Sequence, residues 1–351
     1  MPQPILRVQI QEKLANGHLP RTHIPRKGLL RGLTLAAFAA LGTMICVASA
    51  GAASLSTCGT LKSPGATYVL TQDLTGCVTC LVVAADRITI DLATNVISPP
   101  FELCAGSAGV TDGGVARQGT TVKNGTIMGF DVGVFLGASS RNLIRNLTSS
   151  YNSADGIRVG DRSLVKDSVI AYNDENGIII GNFGQVQGCA IIGHNQGASG
   201  FGIFGASRLL VTDNTVTDNL VGISASDFAT VSFNEFLGNS FTGVSAGNNS
   251  LVTGNKANDN GAGIAVGGFS SVSYNVSSGN TNGGIDVGFN TGNSLITGNT
   301  TNGNGDAGVT AWCPSTAPST VTNNNSLRNG GGALPQPNYL FNGLCRATNN
   351  R

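Results

Sequence analysis

Gly222-Ile223-Ser224-Ala225-Ser226-Asp227-Phe228-Ala229-Thr230-Val231-Ser232-Phe233-Asn234-Glu235-Phe236-Leu237-Gly238-Asn239-Ser240-Phe241-Thr242-Gly243-Val244 holds one full repeat of a pattern that runs through most of the chain. A Gly followed by Ile or Val recurs at Gly133, Gly156, Gly177, Gly202, Gly222, Gly243, Gly263, Gly284 and Gly308, with spacings of 23, 21, 25, 20, 21, 20, 21 and 24. A period of about 22 with small insertions marks a repeat architecture. After each Gly the residues alternate apolar, variable, then apolar or small, as in Ile157-Arg158-Val159 and Ile285-Asp286-Val287. Alternation of period two predicts a short strand with one buried face.

A second strand follows at Val211, Val231, Val252, Val272 and Ile296, each with an Asn three positions on, at Asn214, Asn234, Asn255, Asn275 and Asn299. A further Asn lies five residues later, at Asn219, Asn239, Asn260, Asn280 and Asn304. Stacked turns explain the recurrence, because amides one layer apart donate and accept along a column. Asn also tolerates the left-handed backbone of a tight turn. The chain is therefore predicted to be all-β: a right-handed parallel β-helix, about 22 residues per coil, with three strands per coil, an aliphatic interior and Asn at the corners. Leucine-rich repeats lack this pattern, and a propeller blade needs about 40 residues.

Forty per cent of the 351 residues are hydrophobic and 11% charged, enough for a large core, yet 50 Gly and 6% aromatics point away from an ordinary globule. Small-residue turns would account for the glycine. Behind a formal net charge of +1 lies an asymmetry: residues 1–53 hold six basic residues and one acid, leaving 14 basic and 18 acidic, a net of −4, for the rest. A weakly acidic body argues against nucleic acid or an anionic membrane as partner. The basic start precedes an apolar run from Leu33 to Val47 and the small residues Ala48-Ser49-Ala50-Gly51-Ala52-Ala53. That order predicts a signal peptide over 1–53, cleaved after Ala50 or Ala53, and a secreted, periplasmic or cell-surface address. An uncleaved anchor is the alternative, and the one membrane attachment the sequence offers.

Export also interprets the cysteines. Cys313 and Cys345 stand alone in the C-terminal segment and are expected to pair, whereas Cys58, Cys77, Cys80 and Cys104 allow three pairings among which the sequence does not choose. Cys77-x-x-Cys80 has no second C-x-x-C and no nearby His, so zinc or redox chemistry is disfavoured. Residues 54–120 read as an N-terminal cap and first coils, 121–312 as the repeat core, and 313–351 as a C-terminal cap in which Pro335, Pro337, Tyr339 and Phe341 break the repeat. Caps cover strand edges that would otherwise invite aggregation.

Val122-Lys123-Asn124-Gly125-Thr126-Ile127-Met128-Gly129-Phe130 leading into Gly133-Val134, together with Val82-Val83-Ala84-Ala85-Asp86-Arg87-Ile88-Thr89-Ile90-Asp91-Leu92, resembles secreted bacterial right-handed β-helix repeat proteins. These are related in fold to pectate lyases and to the periplasmic copper-enzyme accessory protein NosD. Spanning roughly residues 58–312, the resemblance implies the fold, and since its motifs are structural it implies no catalytic residue. The run Asp91-Leu92-Ala93-Thr94-Asn95-Val96-Ile97 departs from the Asp-Leu-Asn-Gly-His continuation frequent in such proteins.

In this architecture the outward residue of each Gly-led strand joins a column: Phe135, Arg158, Ile179, Phe204, Ser224, Ser245, Ala265, Asp286 and Thr310. Phe135, Ile179 and Phe204 beside Arg158 would suit sugar stacking, or would form a ladder of like residues. Around them lie Asp131, Asp155, Asp161, Asp174 and Glu175. Carboxylates one or two coils apart can serve glycoside hydrolysis, and an Arg among carboxylates can serve uronate β-elimination; alternatively, Asp in turns bonds local backbone. Asp155, Arg158 and Glu175 are thus the candidate catalytic groups, and Phe135, Ile179, Phe204, Asp131 and Asp161 the candidate substrate contacts. No cofactor or metal is expected; Ca2+ could serve such carboxylates but has no motif to hold it. His194, the sole His after residue 53, and Cys189 occupy the two ladder positions of one coil and read as substitutions in the ladder. The leading expectation is an exported β-helix protein whose lateral face binds or processes an extended polysaccharide, with a uronate-type polymer if it is a lyase or hydrolase. A structural or adhesive surface scaffold and a NosD-like accessory are the alternatives.

Overall fold

A strand of three to five residues cannot stand alone, and here stacking on copies of itself supplies what it lacks. The computed structural model describes residues 51–76, 78–100, 106–194, 199–288, 291–330 and 338–351. Within these the chain winds into a right-handed parallel solenoid of about 12 turns, with strands and no helix. A typical coil carries Ile157–Val159, Leu164–Lys166 and Val169–Ala171. Gly-led strands stack into one sheet of 13 from Gly59–Leu61 to Tyr339–Gly343, and the other two strands of each coil form a 24-stranded sheet. Register follows the repeat: Ile157 pairs with Ile178, Ile178 with Ile203, and Ile203 with Ile223. Those four Ile are buried, as are Val165, Val186, Val211 and Val231 on the second wall and Ile170, Ile191, Val216 and Phe236 on the third. Each contributes roughly 1.5–3 kcal/mol of burial.

The motif glycines are not turn residues. Gly133, Gly156, Gly177, Gly202 and Gly222 are absent from the positive-φ positions, so conformational freedom does not explain them. Close approach does. A Cβ on Gly156 would lie 2.6 Å from Asn173 Nδ2 and 2.8 Å from the Gly177 carbonyl oxygen, and one on Gly202 would lie 2.6 Å from the Gly222 oxygen. Each Gly therefore lets the next coil's backbone and a ladder side chain, an Asn amide or at Gly177 the His194 ring, come within contact of its own Cα.

The Asn residues form two buried columns. In the first, Asn214, Asn234, Asn255, Asn275, Asn299 and Asn324 each donate Nδ2–H to the Oδ1 of the next member, ending at Asn350, over 2.9–3.1 Å. The same Oδ1 accepts a backbone N–H from the preceding coil, as from Asn234 N at 3.0 Å to Asn255 Oδ1. The second column runs through Asn219, Asn239, Asn260, Asn280, Asn304 and Asn329. In both columns each Oδ1 faces the earlier coil, while each Nδ2 donates forward to the next Oδ1 and back to a carbonyl of the earlier coil, as from Asn234 to Val211 O and from Asn239 to Val216 O. The expectation that these Asn take the left-handed turn conformation is corrected here. That conformation belongs to the residue before each first-column Asn, such as Asp213 (φ 59°), Phe233 (58°) and Tyr274 (56°). An Asn whose amide must reach inward keeps out of the left-handed region, and its neighbour makes the corner.

Cys189 and His194 stand in the two columns as expected: Cys189 N–H donates to Asn214 Oδ1 at 2.9 Å and His194 N–H to Asn219 Oδ1 at 3.0 Å. Cys313 bonds Cys345, and Cys58 bonds Cys80, with Cα–Cα distances of 5.1 and 4.6 Å. Cys77, Cys104, Pro335, Pro337 and residues 1–50 of the expected signal peptide lie outside the described residues. Strand pairing carries on past Trp312, since Val309–Cys313 pairs with Tyr339–Gly343 and Thr320–Thr322 with Arg346–Thr348. The described strands within 313–330 and 338–351 thus stay in register with the coils before them.

Candidate binding face

Because side chains alternate along a strand, the residue between two inward apolar positions must face out. The register makes a column of them: Phe135 pairs with Arg158, Arg158 with Ile179, Ile179 with Phe204, and Phe204 with Ser224. Beside its N-terminal half lies an open cleft of about 620 Å3, lined by Arg158, Asp161, Ile179 and Phe204. Gly160 and Gly181, at the ends of successive strands, line it as well. A Cβ on Gly181 would meet Asp161 Oδ1 at 2.5 Å, so the missing side chain keeps this edge low.

Asp155 and Arg158, three residues apart, form an ion pair with Nη2 2.6 Å from Oδ2. The carboxylate is fully buried, and its Oδ1 accepts Nδ2–H from Asn176 at 2.8 Å. Arg158 is 39% exposed, and its guanidinium carbon sits 5.5 Å from the Phe135 ring centroid. A buried anion below and an aromatic ring alongside hold one cation at the cleft wall. The Asp155 carboxylate is thus shielded from this face and meets it only through its ion pair with Arg158.

Placement of the other acids is now plain. Ala154 N–H bonds the Asp131 carbonyl and Glu175 N–H the Ala154 carbonyl, each at 2.9 Å, so Asp131 and Glu175 share a column two coils apart, about 10 Å. Asp131 accepts the Ser153 hydroxyl at 3.0 Å. Asp155 belongs to a different column, stacked on Asn176. These three precede the Gly-led strands, whereas Asp161 follows its strand and accepts Asn182 N–H at 2.8 Å. The structure thus gathers Arg158, Asp161, Ile179 and Phe204 at the cleft with Phe135 under Arg158, and leaves Asp131, Asp174 and Glu175 at the opposite strand edge. Farther along the outward column, burial raises the Asp286 carboxyl above its ordinary range, in a hollow of about 460 Å3 that Asp306 and Thr310 also line.

One feature escapes the period-two reading. Six residues after the motif glycines lie Arg162, Phe183, Arg208 and Phe228, forming an exposed corner ladder beside the cleft. Its mark in the sequence is the constant offset of six from Gly156, Gly177, Gly202 and Gly222, whereas alternation marks only strand positions.

Both ring nitrogens of His194 are taken up by backbone groups, Nε2 at 3.2 Å from the Ile170 carbonyl and Nδ1 at 3.2 Å from Asn173 N. Since a carbonyl only accepts, Nε2 carries the proton and Nδ1 accepts Asn173 N–H. Burial lowers the imidazole pKa to about 4 and raises the Cys189 thiol to about 12. Among the described residues no three His, Cys, Asp or Glu side chains cluster as metal ligands.

The family model described as "Right handed beta helix region" matches residues 108–250 and 160–300, together more than half of the chain. Among solved structures, the chain is similar to the Dettilon tailspike protein (gp208), with a TM-score of 0.58 and 16% identity over 79% of this chain and 62% of that one. It is likewise similar to the A-module of the Azotobacter vinelandii mannuronan C-5 epimerase AlgE6, with a TM-score of 0.54 and 15% identity over 82% of this chain and 90% of the module. A third similarity is to the periplasmic alginate epimerase AlgG, with a TM-score of 0.52 and 17% identity over 80% and 79% of the two chains. The chain spans less than two thirds of the tailspike's length. No curated protein matches the sequence.

Proposed function

As the chain belongs to the right-handed β-helix family, we propose that it is an exported protein whose Gly-led face binds an extended polysaccharide along the cleft between Phe135 and Phe204. The observation that carries this reading is the in-register column in which a buried carboxylate and an aromatic ring aim a half-exposed Arg158 at a groove. Arg158 would take a carboxylate or hydroxyl of the polymer, and the exposed Phe204 ring and Ile179 would lie against sugar faces. Asp161 would accept a hydroxyl. Asp155 would serve as a positioning residue. Support of a general kind comes from the neighbours, two of which are named for epimerisation of mannuronan or alginate. Export is supported by the two disulfides, which persist in oxidising compartments. Of the two cleavage positions, Ala50 is preferred, because Ala53 pairs with Tyr68 in the first strand.

Arg158→Ala would be a poor probe, since it strands a buried carboxylate. The double substitution Asp155→Asn with Arg158→Gln removes both charges, and Phe204→Ala tests the apolar contact. Binding of the purified protein to a panel of soluble polysaccharides should weaken about tenfold in either variant, with the thermal transition held within a few degrees. Unchanged affinity in both would remove the cleft from the argument. Release of reducing ends or unsaturated uronates, measured in the same samples, reports whether binding leads to cleavage.

A further inference from the structure

The corner ladder beside the cleft carries a charge that the fold does not require. Backbone bonds from Arg162 N–H to Asn182 O, Phe183 N–H to Ser207 O, Arg208 N–H to Asp227 O and Phe228 N–H to Asn248 O align these four residues one above another. Their φ values are 56°, 57°, 60° and 62°, all left-handed. Asn249 fills the same corner in the following coil with φ 57°. Asn accepts that conformation cheaply, while a long or bulky side chain there costs on the order of 1 kcal/mol or more. The corner therefore holds Arg and Phe where Asn would serve the fold.

The four side chains form a continuous stack. Guanidinium carbons lie 5.3 Å from Arg162 to the Phe183 ring, 5.1 Å from Arg208 to the same ring, and 5.3 Å from Arg208 to Phe228. Among the described residues neither Arg162 nor Arg208 has an ion-pair partner. Nearby turn acids are engaged elsewhere, Asp161 by Asn182 N–H and Asp227 by Asn248 N–H, each at 2.8 Å. Two cations thus stand two coils apart, about 10 Å, stiffened by ring contacts yet unneutralised. One coil earlier, Arg141 extends the line, with Nη1 on Gln118 Oε1 at 2.9 Å.

We propose that this ladder is a second binding track, parallel to the cleft, for a linear glycan carrying carboxylate or sulfate groups. The inference rests on the glycan reading of the cleft and adds a site to it. Charge complementarity favours a polyanion, because Arg presents a planar donor fork suited to both groups. A single-stranded nucleic acid is disfavoured: base stacking needs a free ring face, and Phe183 has an Arg against each side.

The test is a double substitution, Arg162→Gln with Arg208→Gln, which removes the charge and keeps an unbranched, polar hydrogen-bonding side chain. Binding of polygalacturonate, heparin, neutral dextran and single-stranded DNA is measured across salt concentrations, with thermal unfolding as a check on the fold. The expected result is about a tenfold loss for polygalacturonate or heparin with a shallower salt dependence, while any dextran binding is unaffected; the polymer that loses more identifies carboxylate or sulfate as the preferred group. Polyanion binding equal to that of the parent overturns the track and leaves the cleft reading standing. A parent protein that binds dextran alone does the same, and one that binds no glycan overturns both. DNA bound as tightly as the glycans, and lost in the same variant, would overturn the ligand class.

Discussion

At the scale of single residues, the chain replaces an amide by an imidazole at one point of a repeating column, and the difference is measurable. His194 is fully buried and neutral, its folded pKa about 4 against the ordinary 6.5. The folded state disfavours the proton, so the full stability of the coil is present above pH 6.5 and is lost as pH falls from 6.5 toward 4, by up to about 3 kcal/mol. Chemical denaturation at pH 7 and pH 4.5 should show this loss, and His194→Asn should reduce the pH dependence while adding a ladder amide. An equally steep pH dependence in His194→Asn would assign the loss to carboxylates instead. The position of His194 in the ladder was legible from spacing alone. What its neighbours do was not, because the tautomer depends on Ile170 and Asn173 carbonyl and amide groups that only the fold brings near. The motif glycines taught the same lesson: sequence marks them as special, but turn freedom and close approach leave the same letter.

At the scale of the element, the Asn column is a string of mutually dependent bonds. Asn255 Nδ2 donates to the Val231 carbonyl at 2.8 Å and to Asn275 Oδ1 at 3.0 Å, while its Oδ1 accepts two N–H groups of Asn234. Asn255→Ala would leave buried donors and acceptors unpaired in two neighbouring coils, at a cost of about 2–4 kcal/mol. Asn350, at the column's end and partly exposed, should cost less than half as much when changed to Ala, as solvent reaches its partners. Equal losses at the two positions in equilibrium unfolding would show that the amides act singly. Strands and interior columns were legible because a period of two within a period of 22 leaves few folds open. The candidate face was legible in part: Arg158, Ile179 and Phe204 meet as alternation implies. The Asp155–Arg158 pair and the corner ladder depend on which way a turn points a side chain, which alternation does not encode.

At the scale of the whole molecule, a solenoid is held coil to coil, so its ends are its weak points. Cys58–Cys80 ties neighbouring coils near the start of the described solenoid, and Cys313–Cys345 does so near its end, with sequence separations of 22 and 32. Loops of that size correspond to about 3–4 kcal/mol each in the chain-entropy account. Reduction should therefore speed amide exchange first in residues 53–100 and 309–351, with coils between 200 and 280 retaining protection. Exchange that rises evenly along the chain would refute a local role for the two bridges.

The amide columns have one more consequence. Hydrogen bonds between parallel strands run both ways between coils, as from Val134 N–H to Gly156 O and from Gly160 N–H back to Leu136 O, so their moments largely cancel. The side-chain carbonyls do not alternate: in both columns each Oδ1 faces the earlier coil, while Nδ2 donates both forward to the next Oδ1 and back to an earlier-coil carbonyl. Their dipoles add, as peptide dipoles add along a helix. The two columns accordingly have a direction, with their carbonyl ends toward the first coils and their free donor ends toward the last. Two copies meeting end to end would join opposite poles head to tail and like poles head to head.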